Sequence, residues 1–368
     1  MRGILKVIIF LTLHFIILSK AVFSLTKEEK SILVSSRIST HYISQNNPNG
    51  CKTCHSSIGY IGGDEENQCY LCHGDSKVKL SIETKKKKLK TVSAGDVSKD
   101  FSKPYRHPVE KSGLHNPLEK YPIVDPKVPR HAECLDCHNP HYSIPELPYL
   151  GATGVDIDGK FKQYADEEYE VCFKCHGSAM NKPPYQKDKQ KEFNPKNPSY
   201  HPVVDIGKNN YLPSLVKELN YESKIKCSSC HGADERYSKL KGVHGSDNDY
   251  LLVLPYTKKE EVMIPRFDLC YKCHRKESIL GNQSFPYHRE HIEGVKSRNW
   301  QGTSCSTCHN VHGSTKYKFL IEFNPDYVQK DSVSNKLEFL SEGLFSGSCY
   351  LRCHNVDHSP KRYGSSNK

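Results

Sequence analysis

The chain has 368 residues, 16 of them cysteine, with only 36% hydrophobic residues and a mean hydropathy of −0.68. An ordinary enzyme built on one large aliphatic core needs more apolar side chain than this, and a disordered chain would be poorer in cysteine and in aromatics, which reach 10%. The formal charge of +11 calls for an anionic partner or an anionic prosthetic group.

Residues 1–24 read as an export signal: Arg2 and Lys6, an apolar run of 12 residues from Val7 to Leu18, then small residues at Ser19, Ala21 and Ser24. The run is short of the roughly 20 residues of a membrane span. The expected mature protein is therefore exported, periplasmic or extracellular, with no membrane span once the signal is removed. Removing the signal takes away Arg2, Lys6 and Lys20 and no acid, which leaves +8.

The cysteines then follow in order as Cys51-x-x-Cys54-His55, Cys69-x-x-Cys72-His73, Cys134-x-x-Cys137-His138 and Cys172-x-x-Cys175-His176. After them come Cys227-x-x-Cys230-His231, Cys270-x-x-Cys273-His274, Cys305-x-x-Cys308-His309 and the longer Cys349-x-x-x-Cys353-His354. Two thiols on one turn add across the two vinyl groups of a haem, and the next residue offers its imidazole to the iron. Zinc sites do not require a histidine after each cysteine pair, and disulfides explain no histidine at all. The expected cofactors are eight covalently attached haem c groups, with His55, His73, His138, His176, His231, His274, His309 and His354 as proximal ligands. The longer loop at Cys349 has to bulge to place both thioethers. Each ferric haem with its two propionates carries a net charge near −1, so eight offset the mature +8. A nucleic-acid partner has no other support.

The motifs alternate. The first, third, fifth and seventh carry Lys52, Leu135, Ser228 and Ser306 after the first cysteine; the others carry Tyr70, Phe173, Tyr271 and Tyr350. First-type motifs begin at 51, 134, 227 and 305, a repeat of 78–93 residues. This divides the mature chain into dihaem repeats at 25–100, 101–195, 196–283 and 284–368, with a Lys-rich linker around Lys85–Lys88 closing the first. A histidine precedes each first-type motif (His41, His107, His201, and His288 with His291). Another follows three of them, as Asn139-Pro-His141, Gly242-Val-His244 and Asn310-Val-His312, while Ser57 and Ile58 occupy that region in the first repeat.

On these paired motifs, the His-Pro-Val segments and the Cys-His-Asn-Pro-His segment, the chain resembles the doubled-CxxCH multihaem cytochrome c family over most of its mature length. The resemblance implies stacked haem pairs, imidazoles on both faces of each iron, and electron transfer in the periplasm or outside the cell. With 21 prolines and 23 glycines breaking longer patterns, the expected fold is that of a multihaem cytochrome c. It is a mostly irregular chain with short α-helices wrapped around stacked haems and little β-structure.

Eight irons need eight distal ligands, and 11 histidines remain outside the motifs and the signal. Repeat position selects His41, His107, His141, His201, His244, His291 and His312. The eighth is one of His358, His115, His131 or His288, of which His358 is preferred because it follows His354 as other histidines follow their motifs. Met180 and Met263 read as packing residues. Irons capped on both faces bind no substrate, which favours an electron carrier serving other redox proteins or an extracellular acceptor, with self-assembly into a filament as a sub-reading. The alternative is an octahaem enzyme acting on nitrogen or sulfur compounds at one open iron, either at the Cys349 site or in the first repeat; no catalytic residues are visible for it.

Overall fold

The computed structural model describes residues 26, 28, 30, 39, 41–42, 50–56, 59–60, 65–75, 95–109, 131–178, 182, 184–238, 240–257, 266–298 and 300–364. The 1–24 signal, the Lys85–Lys88 run, His115, Met180 and Met263 lie outside them. The chain divides into two compact units, Met1–Pro183 and Pro184–Lys368. No helix among the described residues is long and apolar enough to cross a membrane.

In the first unit the two longest helices are Glu65–His73 and Glu168–His176, of nine residues each, and both end on a cysteine motif. The second is fixed at its start by Glu170, whose carboxylate accepts the backbone N–H groups of Asp166 at 2.6 Å and Glu167 at 3.2 Å. That satisfies donors a helix start leaves open and sets negative charge against the positive end of its dipole. Beside it a small cluster buries Ile144, Leu147, Leu150 and Val171. In the second unit the helices are shorter still, and the apolar cluster forms around Phe323, Val328, Phe339 and Leu351.

The expectation of little β-structure is wrong. Among the described residues eleven strands form five small sheets beside eight short α-helices, so the fold is not helix-dominated. Most are two-residue ladders, such as Ser199–Tyr200 on Gly313–Ser314, too short to leave an alternating pattern in the sequence. The largest sheet is antiparallel, with Glu338–Gly343 and Val356–Tyr363 flanking Ser346–Cys353. It contains the whole Cys349–Cys353 pair, which the sequence reading treated as a bulged loop. Its residues explain the strand: Cys349, Leu351 and Cys353 alternate toward the apolar cluster. Val356 pairs with Cys353 across the two-residue turn His354–Asn355. Both turn residues have positive φ, 49° and 60°, as a tight hairpin of this kind requires.

Glu65 opens the first helix as a buried carboxyl that accepts the Leu135 N–H at 2.7 Å. Burial, reinforced by the charges of Glu133, Glu66 and Asp136, raises its pKa from 4.5 to about 7, against the opposing Leu135 bond. The folded state therefore holds this proton more tightly than the unfolded chain, and its stabilising contribution is full below pH 4.5 and lost as pH rises through about 7. Glu65→Gln keeps the acceptor and removes the charge. It is expected to stabilise the protein at pH 8 by on the order of 2–3 kcal/mol and to change nothing at pH 4. Thermal melts at the two pH values check this; an equal gain at both would show that ionisation is not the cause.

Candidate haem-binding sites

Seven of the motifs sit on helical turns and one on a strand. In the turns the histidine N–H closes back onto the first cysteine's carbonyl, at 2.9 Å for His138, His231 and His274 and 3.0 Å for His309. The residue before the second cysteine caps the turn: Asp136 Oδ2 accepts the Glu133 N–H at 2.8 Å, and Ser229 Oγ accepts the Lys226 N–H at 3.0 Å. Polar residues at these positions therefore serve the turn. Sequence reasoning missed them, although their recurrence before the second cysteine was there to be seen.

Motif histidines are oriented from behind. The Nδ1 atoms of His138, His231 and His309 each lie 2.9 Å from a backbone carbonyl, of Pro148, Tyr250 and Phe319 respectively. His274 Nδ1 meets Ser214 Oγ at 3.0 Å. A proton held at Nδ1 leaves Nε2 as the donor toward a metal. Burial, with smaller help from neighbouring imidazoles, pushes the pKa values of His274 and His288 down to about 4. Burial also takes His312 to about 4, against Glu192. All three stay in the neutral, ligating form at neutral pH.

Six imidazole pairs stand out. His41 faces His73 with ring centres 6.1 Å apart, and His55 faces His141 at 6.1 Å. His107 faces His176 at 6.2 Å, His201 faces His274 at 6.4 Å, His231 faces His312 at 6.2 Å and His288 faces His309 at 6.5 Å. Two metal–nitrogen bonds of about 2 Å and two ring-centre-to-nitrogen distances of roughly 1.1 Å separate the rings of a trans imidazole pair by about 6 Å. The residues thus fit an iron between each pair. Five of the seven distal candidates chosen by repeat position enter these pairs. The ring beside His309 is that of His288, where the sequence reading ranked His291 first. His291 instead sets Nδ1 2.7 Å from the Tyr287 carbonyl. His131 Nε2 lies 3.7 Å from Glu133. His244 packs over Gly242, whose φ of +144° leaves room for the ring; a Cβ there would meet it at 2.7 Å. His358 sits opposite Leu351 on the last strand. His115 is outside the described residues.

The second histidine of a pair is held as firmly as the motif histidine. The Asn139 and Asn310 side chains accept the N–H of His141 and His312 at 3.1 Å, which is why asparagine stands two residues ahead of each. His312 Nδ1 lies 3.3 Å from Glu192 Oε2. Burial would raise this carboxyl, but His312, Lys189 and Asn310 outweigh it and hold it at about 2. Glu192 was invisible in the sequence, since nothing links a Lys-Glu turn to a histidine 120 residues away.

The attachment cysteines also touch between motifs. Cys69 and Cys134 lie close enough in the first unit to perturb each other's titration, as do Cys270 and Cys305 in the second. A lysine before the second cysteine joins the motifs within a pair. Lys174 donates to the Asp136 carbonyl and, at 3.1 Å, to Thr153 Oγ1. Lys272 donates to the Ser229 carbonyl at 3.2 Å and to Glu235 at 2.5 Å. The 16 cysteines form no disulfide. Among the described residues no group of three or more His, Cys, Asp or Glu side chains converges on a bare metal ion.

Residues 127–319 match the family model of the outer membrane cytochrome MtrC/MtrF-like domains II/IV, a little over half of the chain. No curated protein and no solved structure matches.

Proposed function

We propose, for a chain that belongs to the outer membrane cytochrome MtrC/MtrF-like family, the role of an octahaem electron carrier with imidazoles on both faces of its irons. The family is one of outer-membrane multihaem c-type cytochromes that bind haem c covalently and serve extracellular electron transfer. The count of eight, the ligand pairs and the carrier role are our own reading. The observation that carries it is the set of six imidazole pairs at 6.1–6.5 Å, each containing a motif histidine. Bound haem c supplies one-electron chemistry. The chain's residues hold it: paired cysteines for the thioethers, a motif histidine and a second imidazole for the axial positions, and backbone carbonyls that fix the ring tautomers.

The proximity of Cys69 to Cys134 and of Cys270 to Cys305 supports close approach of the haems carried at those motifs, since thioether edges brought together bring porphyrin edges together. Electrons would enter from a redox protein and leave to another or to an extracellular acceptor. Self-assembly is a further possibility that this role accommodates but does not require.

Intact mass and ferric spin state test the reading together. The processed polypeptide should carry eight haem masses, and replacing both Cys349 and Cys353 with Ala should remove one. The ferric protein should be entirely low-spin. Fewer than eight haems, or a high-spin haem in the parent, would defeat the octahaem carrier; the high-spin result would favour an enzyme with one open iron.

A further inference from the structure

We propose that the fourth repeat completes its own first site: His288 is the distal ligand of the iron attached at Cys305 and Cys308, so no histidine from another repeat or a second copy is needed there. This rests on the octahaem, bis-histidine reading above.

Two pairing rules emerge from the geometry. A histidine preceding a repeat faces the second motif of that repeat, as His41 does His73, His107 does His176 and His201 does His274. A histidine following a first-type motif faces the first motif of the repeat before. His141 of the second repeat faces His55 of the first, and His312 of the fourth faces His231 of the third. Each unit shows the second rule by itself. In these two cases the first-type iron would be completed by a ligand lent backwards from the next repeat. In the first repeat no histidine follows the first-type motif in this way.

Applied to His309, the second rule asks for a histidine from a repeat beyond the fourth or from another molecule. The fold supplies one locally. The fourth repeat is the only one preceded by two closely spaced histidines, on the helix His288–Glu293. Three residues apart, His288 and His291 lie on neighbouring positions of one helical face. His288 takes the place opposite His309, with ring centres 6.5 Å apart and the planes inclined at 42°. Phe285 packs edge-on against His288 at 5.2 Å and holds it there. The doubling is therefore functional: one histidine replaces the missing loan, and the other stays available to the Cys349–Cys353 site.

The test uses the holoprotein. His288→Ala should retain eight haem masses, turn one ferric haem in eight high-spin, and bind one carbon monoxide per chain when reduced. The parent should stay fully low-spin on dilution over three orders of magnitude, since no neighbour completes the site. A His288→Ala protein that remains fully low-spin overturns the proposal, and so does a parent that gains a high-spin haem on dilution. Should His288→Ala fail to mature, the dilution series decides alone. A parent with fewer than eight haems, or with a high-spin haem already present when concentrated, instead removes the bis-histidine reading beneath it.

Discussion

Replacing His312 with Ala is expected to open one iron in eight, and that iron belongs to the third repeat although His312 lies in the fourth. The ring of His312 stands 6.2 Å from that of His231 with the planes only 11° apart, and its Nδ1 faces the buried carboxylate of Glu192 at 3.3 Å. A carboxylate behind an imidazole orients the ring and raises its basicity, so its removal takes away a strong ligand. The ferric spectrum should gain one high-spin component, and the reduced protein should bind one carbon monoxide. The address of the opened iron can be read by combination. With Cys227 and Cys230 both replaced by Ala, the haem beside His231 is gone, and His312→Ala should then add no high-spin signal. A signal that persists in the combined variant would show that His312 serves a different iron.

The haem-free chain is expected to lose cooperative folding altogether. Its longest described helices have nine residues, below the 12–15 or so at which an isolated helix becomes marginal in water. Among the described residues most strands are two-residue ladders, and the two apolar clusters there hold seven buried residues in one unit and four in the other. Conformational entropy of roughly 1–2 kcal/mol per residue outweighs cores of that size. Calorimetry of the haem-free protein should show no heat-absorption peak, and its near-ultraviolet circular dichroism should be flat. A sharp melting transition would mean that the protein cores suffice by themselves.

The motifs were legible because covalent chemistry dictates their spacing, and the histidine supply was legible because ligation consumes so many of one residue type. Which imidazole meets which was not. His288 and His291 lie three residues apart in one helix and both pack on Phe285; what separates them is that the His288 ring stands 6.5 Å from His309 while His291 turns Nδ1 to the Tyr287 carbonyl. The backward reach of His141 and His312 starts from Asx turns at Asn139 and Asn310, which the sequence displays without a direction. Strands were missed for two reasons. Ladders of two residues carry no period, and the one long strand was hidden under a cysteine motif that is elsewhere helical. Lys174 escaped notice because a lysine ordinarily reads as surface, whereas here it is 1% exposed and spent on backbone and hydroxyl partners.

The strand that carries Cys349 and Cys353 turns motif length into a matter of parity. On a helix, side chains three residues apart share a face, so two intervening residues bring both thiols to one side. On a strand, faces alternate, and only an even offset keeps two side chains together. Cys349 and Cys353 are four apart and both join the cluster around Leu351; an offset of three would send one thiol to the opposite face of the sheet. The extra residue is thus the spelling that an extended backbone demands if both thiols are to share a face. A search that admits a single spacing reads helical turns and passes over a cysteine pair set on a strand, so in this chain it finds seven motifs and not the pair at Cys349 and Cys353.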